Sequence, residues 1–135
     1  MKYLVVIDGS PASLAPIERL ERAARRGEAI EAVVLNVQPR FHRHIAQFTR
    51  KSDRDAFRAE RSAAAMAEAA GRLSRAAIPY RLVAETGDSA TRIAAVAAAE
   101  KVDEILQRSD HRNALQRYAL PAGIAGLAAL ILAAD

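Results

Sequence analysis

Cysteine is absent from the 135 residues. That excludes a disulfide framework, a thiolate-ligated metal and a thiol nucleophile. Tryptophan is absent too, and aromatics make up only 4% of the chain. The core must therefore come from Ala, Leu, Ile and Val, small residues that suit close packing of helices on a sheet. The stretch Arg108-Ser109-Asp110-His111-Arg112-Asn113 contains no glycine. Glycines let a backbone approach phosphate closely and turn its N–H groups inward, so no glycine-rich phosphate nest can form there. The longest uncharged apolar run, Ala119 to Ala134, is 16 residues and is interrupted by Pro121, Gly123 and Gly126. It falls short of the roughly 20 apolar residues a membrane-spanning helix needs. Met1-Lys2-Tyr3 leads directly into a strand pattern. That leaves no room for a signal peptide, so a cytoplasmic protein is expected.

The charge that is present is unevenly spread. Between Arg40 and Arg61 lie Arg40, Arg43, Arg50, Lys51, Arg54, Arg58 and Arg61 against Asp53, Asp55 and Glu60, a surplus equal to the whole chain's +4. Such a segment can attract nucleic acid. No nucleic-acid motif accompanies it, and only Phe41, Phe48 and Phe57 are interleaved. A solvated loop and helix face is the favoured reading, and nucleic acid is not expected as a partner.

The hydrophobic periods alternate between two and three-to-four residues. Lys2 to Ile7 is a nearly continuous apolar run, as in a strand buried on both faces. Asp8-Gly9 turns the chain, Ser10 offers a helix cap and Pro11 a first helical residue. Leu14, Ile17, Leu20 and Ala24 then recur at helical spacing up to the stop at Gly27. Ile30 to Val37 reads as a second strand, and Gln38 to about Ser52 as a long surface loop. Asp53 to Ala77 reads as a helix with the stripe Ala56, Ala59, Ala63, Met66, Ala70, Leu73 and Ala77. Tyr80 to Glu85 is a third strand. Asp88 or Ser89 caps a helix from Ala90 to Lys101 that buries Ile93, Ala94 and Ala97. Val102 to Gln107 is a fourth strand. This alternation predicts a single-domain α/β fold, with a five-stranded, mainly parallel sheet covered by helices on both faces.

No catalytic constellation emerges. Gly9-Ser10 lacks the flanking pattern of a nucleophile elbow. His42 and His44 flank Arg43, but zinc would need further ligands from another element, so no metal site is assigned. Asp103-Glu104 reads as a solvated acidic pair at a strand end.

Three segments at matching intervals resemble the universal stress protein family: Val6-Ile7-Asp8-Gly9-Ser10, Glu85-Thr86-Gly87-Asp88-Ser89 and Lys101-Val102-Asp103-Glu104-Ile105-Leu106. The resemblance spans nearly the whole chain and implies that family's Rossmann-type fold. ATP-binding members carry a glycine-rich motif after the fourth strand. Its key positions fall here on Arg108, His111, Pro121 and Ala122, and none matches. Pro121 has no N–H to donate and Ala122 has no hydroxyl. The resemblance therefore implies a non-catalytic, regulatory, stress-response protein that does not take ATP in the family's usual mode. No cofactor is expected, although ATP or AMP stays open as a ligand, as does slow hydrolysis.

In the family's pattern Asp8, with Gly9 and Ser10, matches the residues that contact the nucleoside, and Val37 matches a position lining the adenine pocket. Asp8 could equally cap the turn after the first strand, and Val37 could be plain core. The alternative function is an adenine-nucleotide-binding module in which Arg108, His111 and Arg112, with Arg117, hold phosphate by side-chain charge. The C-terminal segment looks shortened, with a brief helix or turn at 122–127 and a strand over Leu130, Ile131, Leu132 and Ala133. In the family such an edge strand pairs with its counterpart, which implies a homodimer and an unidentified protein partner.

Overall fold

The structure, a computed structural model, describes residues 1–39 and 50–107 and the backbone of residues 131–133. The elements in order are β1 (Lys2–Val6), a single 3-10 turn (Pro11–Leu14), α1 (Ala15–Arg25), β2 (Glu31–Gln38), α2 (Lys51–Arg75), β3 (Tyr80–Thr86), α3 (Ser89–Glu100), β4 (Glu104–Gln107) and β5 (Ile131–Ala133). The five strands form one sheet in the order β3-β2-β1-β4-β5. Every adjacent pair is parallel, with Val5 opposite both Val34 and Leu106. The expected α/β architecture is present, with a three-residue fifth strand at the edge.

Side chains alternate across the sheet and build two cores. Leu4, Val6, Val33, Leu35 and Ile105 face α3, where Ile93 and Ala97 cover them. Val5, Ile7, Val34 and Leu106 face Ile17 and Leu20 of α1 and Met66 and Leu73 of α2. The chain runs outward from β1 to β3, then returns to the other side of β1 for β4. The carboxyl ends of β1 and β4 thus frame the point where strand order reverses, the usual ligand crevice of open parallel sheets.

Some boundaries and faces differ from the sequence reading. The first helix does not start at Pro11: a 3-10 turn precedes it, and α1 begins at Ala15 with Pro16 in its first turn. Pro16 explains this, because inside a longer helix it would lack a donor and its ring would clash with the preceding turn. On α2 the buried stripe is Ser62, Met66, Ala69 and Leu73, while Ala56, Ala59 and Ala63 are exposed and Ala77 lies beyond the helix end. Alanines occupy every face of this helix, and a methyl group buries too little area to fix its rotation. The larger Met66 and Leu73 do so. β4 begins at Glu104 rather than Val102, because Lys101 ends α3 in a left-handed conformation with φ 53°. Asp103 is not merely solvated. Its carboxylate accepts from the Lys2 N–H at 2.7 Å while its own N–H donates to the Lys2 carbonyl at 2.7 Å. Asp88, not Ser89, is the N-cap of α3, accepting from Thr91 N–H at 3.0 Å. Most of the expected 38–52 loop and all of the 122–127 helix lie outside the described residues.

Candidate functional site

An open cavity of about 350 Å³ lies where the carboxyl ends of β1 and β2 meet α2. Asp8, Gly9, Gln38, Arg61, Ala64 and Ala65 line it. Its volume is in the range of small-ligand sites.

The floor is set by a buried polar relay. Asn36 interrupts the apolar run of β2 and is 1% exposed. Its Nδ2 donates to the Ile7 carbonyl at 2.8 Å, just where β1 leaves the sheet. Its Oδ1 accepts from Ser62 Oγ of α2 at 2.8 Å and from Gln38 Nε2 at 2.8 Å. A buried amide or hydroxyl without partners is costly, so the relay ties β1, β2 and α2 together at the cavity. Gln38 is half-buried, and its side chain reaches the cavity from this anchored position.

The wall is the turn after β1. Asp8 Oδ1 accepts from both the N–H and the hydroxyl of Ser10, at 2.9 Å and 2.6 Å. Ser10 Oγ in turn accepts from Ser13 N–H at 3.3 Å and caps the 3-10 turn. Asp8 therefore does the turn-capping work that its alternative reading assigned to it, and lines the cavity as well. Gly9 has φ +89°, and a Cβ there would meet the Ala65 Cβ at 3.4 Å. Glycine is thus required both by the left-handed backbone and by the close approach of this turn to α2. Arg61 is exposed and packs its guanidinium 5.5 Å from the centroid of Phe57. It makes no salt bridge among the described residues.

Of the residues expected from sequence, the structure brings Asp8 and Gly9 to the cavity, with Ser10 holding Asp8 in place. Val37 is not among them, since its side chain packs against the core on the α3 side. Arg108, His111, Arg112 and Arg117 lie outside the described residues, as do His42, His44 and Leu130. Ile131, Leu132 and Ala133 form the edge strand β5, parallel to β4.

The sequence reading missed Gln38 and Asn36 as site residues, and placed Arg61 only in a solvated basic segment. An asparagine inside a Val-Val-Leu-Asn-Val run was the available signal, because such a residue needs a buried partner. Gln107 was missed as well. It ends β4 fully buried, and among the described residues neither amide atom has a hydrogen-bond partner. Strand alternation puts it on the Ile105 side of the sheet, away from the Gln38 cavity. Among the described residues no group of His, Cys, Asp or Glu could hold a metal ion. No described helix is long and apolar enough to cross a membrane.

A parallel sheet wound in both directions from β1, with a cavity at the strands' carboxyl ends, defines a doubly wound α/β protein. The model of the Universal stress protein family matches residues 1–122, and the chain belongs to that family. Solved structures agree on the fold. A protein of the universal stress protein family from Burkholderia pseudomallei is 21% identical, with a TM-score of 0.67 over 86% of this chain and 87% of that one. A universal stress protein family protein from Arabidopsis thaliana, solved with AMP bound, is 13% identical, with a TM-score of 0.64 over 98% of this chain and 90% of that one. A universal stress protein in complex with cAMP is 18% identical, with a TM-score of 0.62 over 100% of this chain and 98% of that one. No curated protein matches the chain.

Proposed function

We propose that this chain is a non-catalytic regulatory member of its family that takes an adenosine monophosphate rather than ATP in the family's usual mode. The observation that carries the reading is the cavity at the ends of β1 and β2. It combines an anchored amide, Gln38, with the exposed cation of Arg61. An amide and a guanidinium lining one cavity suit a base and a single phosphate. The AMP and cAMP bound by two relatives of the same fold support this ligand class. The absence of glycine at 108, 111, 121 and 122 argues against a backbone cradle for a triphosphate.

In the same reading the protein acts in the cytoplasm as a homodimer paired through β5, signalling to a protein partner rather than to nucleic acid or a membrane. Isothermal titration with AMP, cAMP and Mg-ATP tests the ligand. Heat with a monophosphate, and no tighter binding of ATP, is expected. Tighter binding of Mg-ATP, or its hydrolysis, would refute the monophosphate reading. No heat with any of the three would leave a fold kept for its protein contacts.

A further inference from the structure

Side-chain amides can present either end to a ligand, but the amide of Gln38 is not free to choose. The Ile7 carbonyl can only accept, so Asn36 must turn its Nδ2 toward it. That fixes Asn36 Oδ1 as the atom facing Ser62 and Gln38. Ser62 donates its hydroxyl to this oxygen at 2.8 Å. The remaining approach to Asn36 Oδ1 can be filled only by a donor, so Gln38 must offer Nε2, as it does at 2.8 Å. A flip of Gln38 would bring two carbonyl oxygens together. The orientation is thus inherited, bond by bond, from the main chain of β1, and does not depend on telling nitrogen from oxygen by shape.

The consequence is a fixed direction for the Gln38 amide at the cavity. With one Nε2 hydrogen held by Asn36, Gln38 leaves Oε1, which can only accept, and the second Nε2 hydrogen beside it for a ligand. We propose that Gln38 is a specificity-determining residue, selecting ligands that present an N–H donor to the end of β2, and that Asn36 is the positioning residue that sets this choice. Resting on the monophosphate reading above, the donor is the exocyclic amine of adenine, with the phosphate toward Arg61. A base without that amine leaves Oε1 facing a ring edge with no hydrogen to offer. A lost hydrogen bond of this kind costs about 1.4 kcal/mol, which is about tenfold in affinity.

The test compares AMP with purine riboside monophosphate, which lacks only the exocyclic amine, by isothermal titration on the wild-type protein and on Gln38→Met. Methionine matches the length of glutamine and has no amide, and residue 38 is only half-buried at the cavity edge. AMP is expected to bind the wild type at least about tenfold more tightly than the amine-less nucleotide, and Gln38→Met is expected to bind both alike. Equal binding of the two by the wild type would overturn the specificity assignment while leaving the monophosphate reading standing. A preference that survives in Gln38→Met would overturn the role of Gln38. Binding of neither nucleotide by the wild type would overturn both readings. The wild-type comparison needs no variant to fold.

Discussion

Replacing Asn36 with leucine probes the relay beneath the cavity. The two side chains share the same branched heavy-atom skeleton, so the change removes polar partners without opening a void. Three hydrogen bonds are lost, to the Ile7 carbonyl, the Ser62 hydroxyl and the Gln38 amide. Gln38 is half-buried and can turn its amide to water. Ile7 and Ser62 are 1% and 3% exposed and cannot. Each stranded group costs about 1–3 kcal/mol, so the substitution should destabilise the protein by about 2–6 kcal/mol. For a chain of this size that lowers Tm by several degrees per kcal/mol.

A double-mutant cycle sharpens the prediction. Ser62→Ala in the wild type removes one of two donors to Asn36 Oδ1 and should cost about 1 kcal/mol. In the Asn36→Leu background the same substitution removes a stranded hydroxyl, so it should be neutral or stabilising. Urea unfolding followed by far-UV circular dichroism on the four proteins measures the coupling. An equal cost for Ser62→Ala in both backgrounds would refute the relay as a unit. So would a loss below about 0.5 kcal/mol for Asn36→Leu, the scale of an ordinary surface change.

Two further predictions follow from single contacts. Gly9→Ala forces a side chain into a left-handed backbone at φ +89°, with its Cβ at 3.4 Å from that of Ala65, and should cost about 1–2 kcal/mol. Thermal melting checks it, and an unchanged Tm would show that the turn relaxes freely. Glu21 and Arg72 join α1 to α2 through a two-pronged ion pair, with Arg72 Nε 3.2 Å from Glu21 Oε2 and Arg72 Nη2 on Glu21 Oε1. The hydrogen bond to Arg72, helped by the charges of Arg72, Arg25 and Arg75, holds the Glu21 carboxyl below its ordinary value of 4.5, against the opposing effect of burial. The folded state thus favours the charged form. The stabilisation is fully present above pH 4.5 and is lost as pH falls through the lowered folded value. The stability gap between wild type and Glu21→Gln should therefore shrink in acid, and a gap that widened there would contradict the assignment.

Much of the fold was legible in the chain. β1 and β2 announced themselves as apolar runs because both their faces are buried, and α3 did so through Ile93, Ala94 and Ala97 with Asp88 as cap. The faces of α2 were not legible. Its many alanines satisfy any helical stripe, and only contact with the sheet shows that Ser62 and Ala69 point inward while Ala63 points out. The start of α1 was misplaced because the cap signal at Ser10 outweighed Pro16, whose missing donor governs where an α-helix can begin.

The candidate site was only half legible. Asp8, Gly9 and Ser10 are adjacent in sequence, and their turn is local chemistry that short-range pattern can express. The side of the sheet that Val37 faces is set by its place in the alternation of β2, and it packs into core.

By itself the sequence determined the order of strands and helices, the family, the lack of thiol chemistry and the loss of the glycine cradle. These depend on local period, residue type and short spacing. Only the tertiary structure decided that Asn36 meets Ser62, 26 residues away, and Ile7, 29 residues away, and that Gln38 is thereby turned to face a cavity. Hydrogen-bond polarity is transmitted through space between elements that the chain keeps far apart, and no pattern along one strand can carry it.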